Sequence, residues 1–189
     1  MRFEKGHKEN TRRRIIDVAS RRFRRDGIAA SGLAGIMAES GLTNGAFYPH
    51  FDSKDTLVKE SLSSALNDQY SILTNEESGA VDIEDAIRRY LNKSHLLGCD
   101  EGCPSAALLP EIGRQSEPTR KMYEEAYSSY AEGLAKLLPD PESAKSRRQA
   151  ATIFALMVGT IQIARAVSDP QLAEEILEDG VQAALKLSR

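Results

Sequence analysis

The sequence has few cysteines and no long hydrophobic run, and both absences narrow what the protein can be. Its 189 residues include two cysteines, too few for the disulfide framework of a small secreted domain. The longest uncharged stretch, 149–164, carries Gln, Thr and Gly and is shorter than the roughly 18–20 apolar residues of a membrane span. Residues 1–14 are polar and contain no apolar signal segment. We therefore expect a cytoplasmic protein with no membrane partner.

Motifs of catalysis and cofactor binding are missing as well. There is no G-x-S-x-G elbow, no H-E-x-x-H, no P-loop and no G-x-G-x-x-G. With 41% hydrophobic and 28% charged residues, the chain has an ordinary globular composition and is long enough to bury a core without disulfides or metal. We expect a protein that is not an enzyme and that needs no cofactor or metal.

Positive charge is concentrated at the N-terminal end. Residues 1–60 hold 12 Lys and Arg against 8 Asp and Glu, whereas residues 61–189 hold 13 against 20. This asymmetry favours a small polyanion-binding module joined to an acidic body, with a randomly uneven surface as the alternative.

Helical periodicity dominates the chain, and strand signals are nearly absent. Apolar residues recur at three- and four-residue intervals between capping residues and Gly or Pro breaks. We expect Asn10 or Thr11 to cap the first helix, Ser31 the second and Thr43 the third. The pattern predicts an all-helical protein of about nine helices, with a loop at 76–81 and helices over 11–26, 31–40, 44–50, 53–75, 82–97, 104–115, 116–138, 143–167 and 170–187.

The first helix carries a strongly basic polar face of seven arginines. Arg12, Arg13 and Arg14 fall in its predicted first turn, where the helix dipole disfavours cations. An external anion would account for their position, and a solvated face is the alternative.

Two short helices joined by a tight turn after a basic helix form a helix-turn-helix pattern. The stretches T-R-R-R-I-I-D-V-A-S-R-R-F-R-R-D-G (11–27) and S-G-L-A-G-I-M-A-E-S-G-L-T-N-G-A-F-Y-P-H-F-D-S-K-D-T-L-V (31–58) resemble the N-terminal domain of the TetR family of transcriptional regulators. The resemblance implies an all-helical homodimer that binds DNA through residues 1–52. Residues 53–189 would then bind an effector and dimerise through the last two helices.

The residues around the third predicted helix suit contact with DNA. Thr43 offers a hydroxyl and free backbone N–H groups to a phosphate, Asn44 can read a base edge, and Gly45 permits close backbone approach. The alternatives are helix-start chemistry for Asn44, packing against the first helix for Tyr48 and an ordinary surface position for His50. Together with the positions that the resemblance implies, the expected DNA contacts are Ser31, Thr43, Asn44, Gly45, Ala46, Tyr48, His50 and Lys54.

The last two helices favour a twofold interface. Residues 150–164 are apolar all round, which is not typical of a surface helix. A dimer also meets the need of a helix-turn-helix protein for two half-sites. The expected dimerisation residues are Ala155, Leu156, Gly159, Ile176 and Val181, and burial within one chain is the alternative.

His95, Cys99 and Cys103 recur every four residues and allow three interpretations. The cysteines could pack a loop as small hydrophobes. They could form a thiol or electrophile sensor, because Cys103 lies near a predicted helix N-terminus, where a thiolate is favoured. A metal site with His95 is the third interpretation, but it lacks a clear fourth ligand.

Tyr123 and Tyr127 lie on one helical face and could join the cysteines in an effector site, although such stripes are more often core. The hypothesis for the whole chain is a dimeric repressor, released from a palindromic DNA operator by a small-molecule effector or by thiol modification at Cys99 and Cys103. The alternatives are a thiol-redox protein that uses these two cysteines and a helical partner-binding dimer without DNA binding.

Overall fold

The computed structural model describes residues 5–75 and 80–189, and these ranges contain helices and no strand. The predicted all-helical fold is therefore confirmed. The loop expected at 76–81 lies mostly outside the described residues. The elements are α1 Lys5–Asp26, α2 Leu33–Glu39, a 3-10 turn at Asn44–Ala46, α3 Lys54–Thr74, α4 Ile83–Tyr90, α5 Lys93–Leu97, α6 Pro104–Ile112, α7 Glu117–Ala135, α8 Ala144–Ala166 and α9 Pro170–Leu187.

Helix α1 extends further toward the N-terminus than predicted. The Thr11 hydroxyl donates to the carbonyl of His7 at 2.9 Å and does not cap the helix. Extending an existing helix forms one hydrogen bond for each residue that is fixed, so a polar segment can add turns without a strong cap. Arg12, Arg13 and Arg14 consequently lie well inside α1, and the prediction that they oppose the helix dipole in a first turn was wrong.

The capping prediction for Ser31 was also wrong. Gly32 occupies the N-cap position of α2, and the Ser31 hydroxyl donates to the carbonyl of Gly27 at 2.7 Å. Gly27 ends α1 in the left-handed region, with φ of +86°, a conformation that suits glycine. Ser31 therefore stabilises the turn between α1 and α2.

The third predicted helix is shorter and tighter than expected. The 3-10 turn at Asn44–Ala46 gives way to a turn through residues 48–50. Pro49 has no N–H to donate to the Gly45 carbonyl, which prevents an α-helix from continuing. We call residues 43–50 the recognition segment.

The predicted helix over 82–97 is divided into α4 and α5. The Asn92 side chain accepts a hydrogen bond from the His95 backbone N–H at 2.9 Å, which is the geometry of a new N-cap. The chain therefore changes direction between the two short helices.

Two hydrophobic clusters form the core. The N-terminal cluster joins α1, α2 and the recognition segment to the start of α3, and the body cluster lies among α4, α7, α8 and α9. Helix α6 contributes to both, because Cys103 and Ala106 lie in the body cluster whereas Leu108 and Ile112 lie in the N-terminal cluster. The division of the chain at residues 52 and 53 stays a prediction, and α6 links the two halves.

Among the described residues, one helix, Ala144–Ala166, is long and apolar enough to cross a membrane. Its Ile153, Met157 and Ile161 are fully buried in the body cluster. The apolar residues on the buried side of α8 are therefore those of a core helix.

Helices α8 and α9 approach closely where Gly180 faces Thr160. A Cβ atom at position 180 would lie 2.5 Å from Thr160 Cγ2. We expect Gly180→Ala to lower the free energy of unfolding by about 1–3 kcal/mol through overpacking, despite the higher helix propensity of alanine. Urea denaturation measures the change, and Thr160→Ala in the same chain should recover part of it. A more stable Gly180→Ala protein would contradict this packing.

Candidate nucleic-acid interface

The recognition segment is anchored by phenylalanines and presents its other side chains to solvent. Phe47 and Phe51 are buried, with ring centroids 5.5 Å apart. Tyr48, between them, is 68% exposed and meets the Phe47 ring edge-on at 5.4 Å. The structure therefore does not pack Tyr48 against α1, and its hydroxyl is available to an external partner.

The polar start of the recognition segment is exposed at Thr43, Asn44 and Gly45. The Thr43 side chain makes no capping hydrogen bond, so its hydroxyl can bind a phosphate. Ala46 is half-buried against the N-terminal cluster. The exposed edge of the segment thus consists of residues 43–45, Tyr48 and Pro49.

Two residues expected at DNA have structural partners in this conformation. Ser31 is fully buried, so its side chain does not face an external phosphate in this conformation, and its contact with DNA stays a prediction. The Lys54 ammonium group donates to the carbonyl of Ile28 at 2.9 Å. This hydrogen bond ties the turn between α1 and α2 to the start of α3. Ser53 caps α3, because its side chain accepts a hydrogen bond from the Thr56 backbone N–H at 3.1 Å. The sequence did not signal this tether.

The arginines of α1 divide into structural and exposed groups. Arg12 pairs with Glu60 and lies over the Phe51 ring, 4.7 Å from its centroid. Arg22 and Arg25 both pair with Asp26 and Glu39, and Arg24 donates to the carbonyl of Gly102. Within the described ranges, the exposed Arg13, Arg14 and Arg21 form no ion pair.

His50 is half-buried at the end of the recognition segment. Burial, reinforced by the positive charges of Lys8 and Arg12, lowers its pKa. A neutral imidazole can still donate a hydrogen bond to a phosphate. His50 is therefore expected to act near neutral pH as an uncharged group.

The loop at residues 98–103, which we call the cysteine loop, is held by His95. The Cys103 backbone N–H donates to His95 Nε2 at 3.0 Å, and His95 Nδ1 donates to the Tyr90 carbonyl at 2.7 Å. Both ring nitrogens are thus occupied, which leaves no lone pair for a metal. The metal interpretation of the His95, Cys99 and Cys103 spacing was wrong, because the spacing serves to close a loop.

The two cysteines differ in exposure, and both are free thiols. Cys103 is buried at the N-cap of α6, and Cys99 is partly exposed. Tyr123 packs on the N-terminal cluster, whereas Tyr127 packs on the body cluster that also contains Cys103, and their joint effector site stays a prediction. The Tyr123 hydroxyl lies 3.0 Å from that of Ser105.

The face of α8 expected at a dimer interface is partly uncovered in the single chain. Ala155 is exposed, no heavy atom lies within 4 Å of a Cβ at Gly159, and Ile163 is exposed on the same face. Val181 is 2% exposed and lies in the body cluster. Val181 thus already packs inside its own chain, and its part in an interface stays a prediction. Leu156 and Ile176 are half-buried against that cluster.

Two half-buried histidines, His50 and His95, predict a pH-dependent stability. Burial lowers the pKa of His95 and of His50, so the unfolded chain binds more protons just below about pH 6.5. The free energy of unfolding should therefore fall as the pH drops through that region. Urea denaturation at about pH 7.5 and pH 5.5 tests this, where carboxylates stay ionised. His95→Asn should reduce the difference, and a difference unchanged in that variant would contradict the assignment.

Comparison with known proteins points to one family. The family model of bacterial regulatory proteins of the tetR family matches residues 15–61. The chain is 28% identical over 155 residues to the HTH-type transcriptional regulator LmrA of Bacillus subtilis, covering 79% of this chain and 82% of LmrA. It is 36% identical over 85 residues to the HTH-type transcriptional regulator TtgR of Pseudomonas putida, covering 44% of this chain and 40% of TtgR.

Solved structures share the fold over nearly the whole chain. The reduced form of NemR from E. coli superposes with a TM-score of 0.76 at 21% identity, covering 94% of this chain and 96% of NemR. A TetR-family regulator from Cytophaga hutchinsonii gives a TM-score of 0.76 at 20% identity, covering 96% of each chain. The agreement covers the body helices as well as residues 15–61, which the family model matches.

Proposed function

We propose that this chain, a DNA-binding transcriptional regulator of the tetR family whose members act as dimers, is a cytoplasmic repressor. It would leave a palindromic operator when a small-molecule effector binds residues 53–189 or when the thiols of Cys99 and Cys103 are modified. The relatives it matches are regulators rather than enzymes, so the thiol-redox enzyme is set aside. The helical dimer without DNA binding is set aside as well.

The observation that carries the proposal is the contrast in burial between two neighbouring residues of the recognition segment. Phe47 is buried while its neighbour Tyr48 is 68% exposed, so the core fixes an edge that projects its polar groups. Thr43 and Tyr48 would then hold phosphates, and Asn44 would meet a base edge in the major groove. Gly45 permits close approach, and Ala46 and His50 border the same edge.

A dimer would place two recognition segments on one face of the DNA. Half-sites of helix-turn-helix dimers lie roughly 34–36 Å apart. The uncovered face of α8 at Ala155 and Gly159, bordered by Leu156 and by Ile176 of α9, supports an interface that sets this spacing. A ligand or modification that changes the spacing would release the DNA.

Binding to the DNA upstream of the chain's own gene tests the operator hypothesis. Arg13→Ala should weaken binding to all sequences and reduce the slope of log affinity against log salt by about 1. Asn44→Ala should instead lower the preference for one sequence by about 1–3 kcal/mol. Arg120→Ala, an exposed arginine of α7, is the matched control and should change neither quantity. Binding without sequence preference in the unaltered protein would overturn the proposal.

Thiol modification is one route to release that the cysteine loop supports. Hydrogen peroxide would oxidise the partly exposed Cys99 to a sulfenic acid with loss of water, and Cys103 would displace a second water to form a disulfide. The Cys103 sulfur would have to leave the body cluster to react. This movement would disturb the adjacent carbonyl of Gly102, which accepts from Arg24 of α1 at 3.3 Å.

Peroxide treatment of the protein–DNA complex separates this route from release by a noncovalent ligand. The unaltered protein should lose affinity on oxidation and recover it with dithiothreitol. Cys99→Ser and Cys103→Ser should each retain affinity. If oxidation leaves the affinity of the unaltered protein unchanged, the thiol route is wrong and release belongs to a noncovalent ligand.

A further inference from the structure

The early part of α1 carries an exposed lysine that the proposed function does not use. The structure adds residues 5–10 to the first helix, which the sequence predicted over 11–26. Lys8 lies in this added part; its side chain is exposed and, among the described residues, forms no ion pair. Lys8 precedes Arg12 by four residues, a spacing that places both on one face of the helix.

This face of α1 adjoins the end of the recognition segment. The Arg12 guanidinium lies 4.7 Å from the centroid of the Phe51 ring, and Phe51 directly follows His50. Burial lowers the pKa of His50, and the nearby charges of Lys8 and Arg12 lower it further. Arg12 is already paired with Glu60. Lys8 is therefore the cation near His50 that is available to an anion from outside the chain.

His50 presents one of its two ring nitrogens to solvent. Its Nδ1 is buried without a hydrogen-bond partner, whereas Nε2, which also makes no hydrogen bond within the described ranges, is not enclosed in this way. A hydrogen on Nδ1 would be a buried donor without an acceptor, so the neutral ring carries its hydrogen on Nε2. An exposed imidazole N–H near a free ammonium group suits a phosphate, which accepts hydrogen bonds and carries the opposite charge.

We propose that Lys8 and the Nε2–H group of His50 together bind one phosphate of the DNA backbone, beside the contacts of the recognition segment. The inference rests on the proposed function, to which it adds a phosphate site that includes a residue ahead of the helix-turn-helix segment. Lys8 supplies the charge and His50 a directed hydrogen bond. Glu9, the acidic group that acts on His50, is exposed, so solvent screens its repulsion of a phosphate. Such a contact raises the affinity for all DNA sequences alike.

Lys8→Ala in the full-length protein tests the charge. For each subunit that contacts DNA, it should reduce the slope of log affinity against log salt by about 0.9 and weaken binding about fivefold at about 0.15 M salt. The preference for the upstream DNA over unrelated DNA should not change. Lys121→Ala, an exposed lysine of α7, is the matched control and should alter neither slope nor affinity. Both side chains are exposed, so the unfolding temperature should stay the same. An unchanged salt slope in Lys8→Ala would overturn the proposal.

A double-mutant cycle tests whether the two residues hold the same phosphate. His50→Phe keeps a ring, removes both nitrogens and should weaken binding about tenfold. Combined with Lys8→Ala, the loss should be at least about threefold smaller than the product of the two single losses, because one phosphate is released only once. Arg13→Ala is the control, since Arg13 lies about 140° around the helix from Lys8. Its loss should multiply with that of His50→Phe within about twofold. Multiplying losses for Lys8 and His50 would overturn the shared site.

The unaltered protein separates a failure of this inference from a failure of the proposed function. If it prefers the upstream DNA while Lys8→Ala keeps its full salt slope, only the phosphate site is overturned. If it binds all sequences equally and Lys8→Ala still lowers the slope, the repressor is overturned and the phosphate site is supported as part of a general DNA-binding surface.

Discussion

Phe47→Ala is expected to lower the free energy of unfolding by about 3–5 kcal/mol and to abolish specific DNA binding. Phe47 is fully buried and stacks on Phe51, so its removal leaves a cavity at the base of the recognition segment. The short 3-10 turn has little stability of its own, because helices of this length depend on tertiary packing. Urea denaturation and salt-dependent DNA binding measure the two effects.

The matched control is the neighbouring Tyr48→Ala. Tyr48 is mostly exposed, so its removal should change the free energy of unfolding by less than about 0.5 kcal/mol. It should nevertheless weaken specific DNA binding about tenfold to a hundredfold, the loss of one hydrogen bond to a charged phosphate. Equal destabilisation by the two variants would contradict the contrast between a buried Phe47 and an exposed Tyr48. Unchanged DNA binding in Tyr48→Ala would show that Tyr48 does not contact DNA.

Leu108→Ala is expected to lower the free energy of unfolding by about 2–5 kcal/mol and to loosen the DNA-binding half in particular. Leu108 belongs to α6 but packs in the N-terminal cluster, while Ala106 of the same helix and its N-cap residue Cys103 pack in the body cluster. Hydrogen exchange should therefore accelerate in α1 and α3 as well as in α6 itself.

Leu109→Ala is the control within α6. This leucine is 38% exposed, and its replacement should cost less than about 1 kcal/mol and leave exchange in α1 unchanged. If Leu108→Ala accelerated exchange in the body helices and not in α1, α6 would not link the two halves as described.

Local residue patterns predicted the helices well and their ends less well. Ser53 and Asp82 cap α3 and α4, because each side chain accepts from a backbone N–H three residues later. The expected cap at Ser31 fails because the hydroxyl group finds a carbonyl partner across the turn at Gly27. Ser31 and Ser53 both precede a predicted helix, so the local pattern is the same. Only the surrounding turn decides which partner each hydroxyl group binds.

For the site residues too, local sequence predicted which residues lie together on one element but not their contacts with distant residues. The sequence placed Thr43, Asn44 and Tyr48 together on a short element, and the structure exposes all three. It could not show that Arg12 pairs with Glu60 or that Lys54 binds the Ile28 carbonyl. These relations join residues that are distant in the chain, so no local spacing encodes them.

By itself, the sequence determined the helical class, the helix-turn-helix segment and the apolar character of α8, since helical periodicity, caps and breaks act over a few residues. The tertiary structure alone decided that α6 belongs to both clusters, that Val181 is internal and that His95 closes the cysteine loop. The physical reason is that burial and hydrogen-bond partners depend on which helix faces meet. One amphipathic pattern is compatible with a core, a dimer interface or a ligand site until those faces are packed.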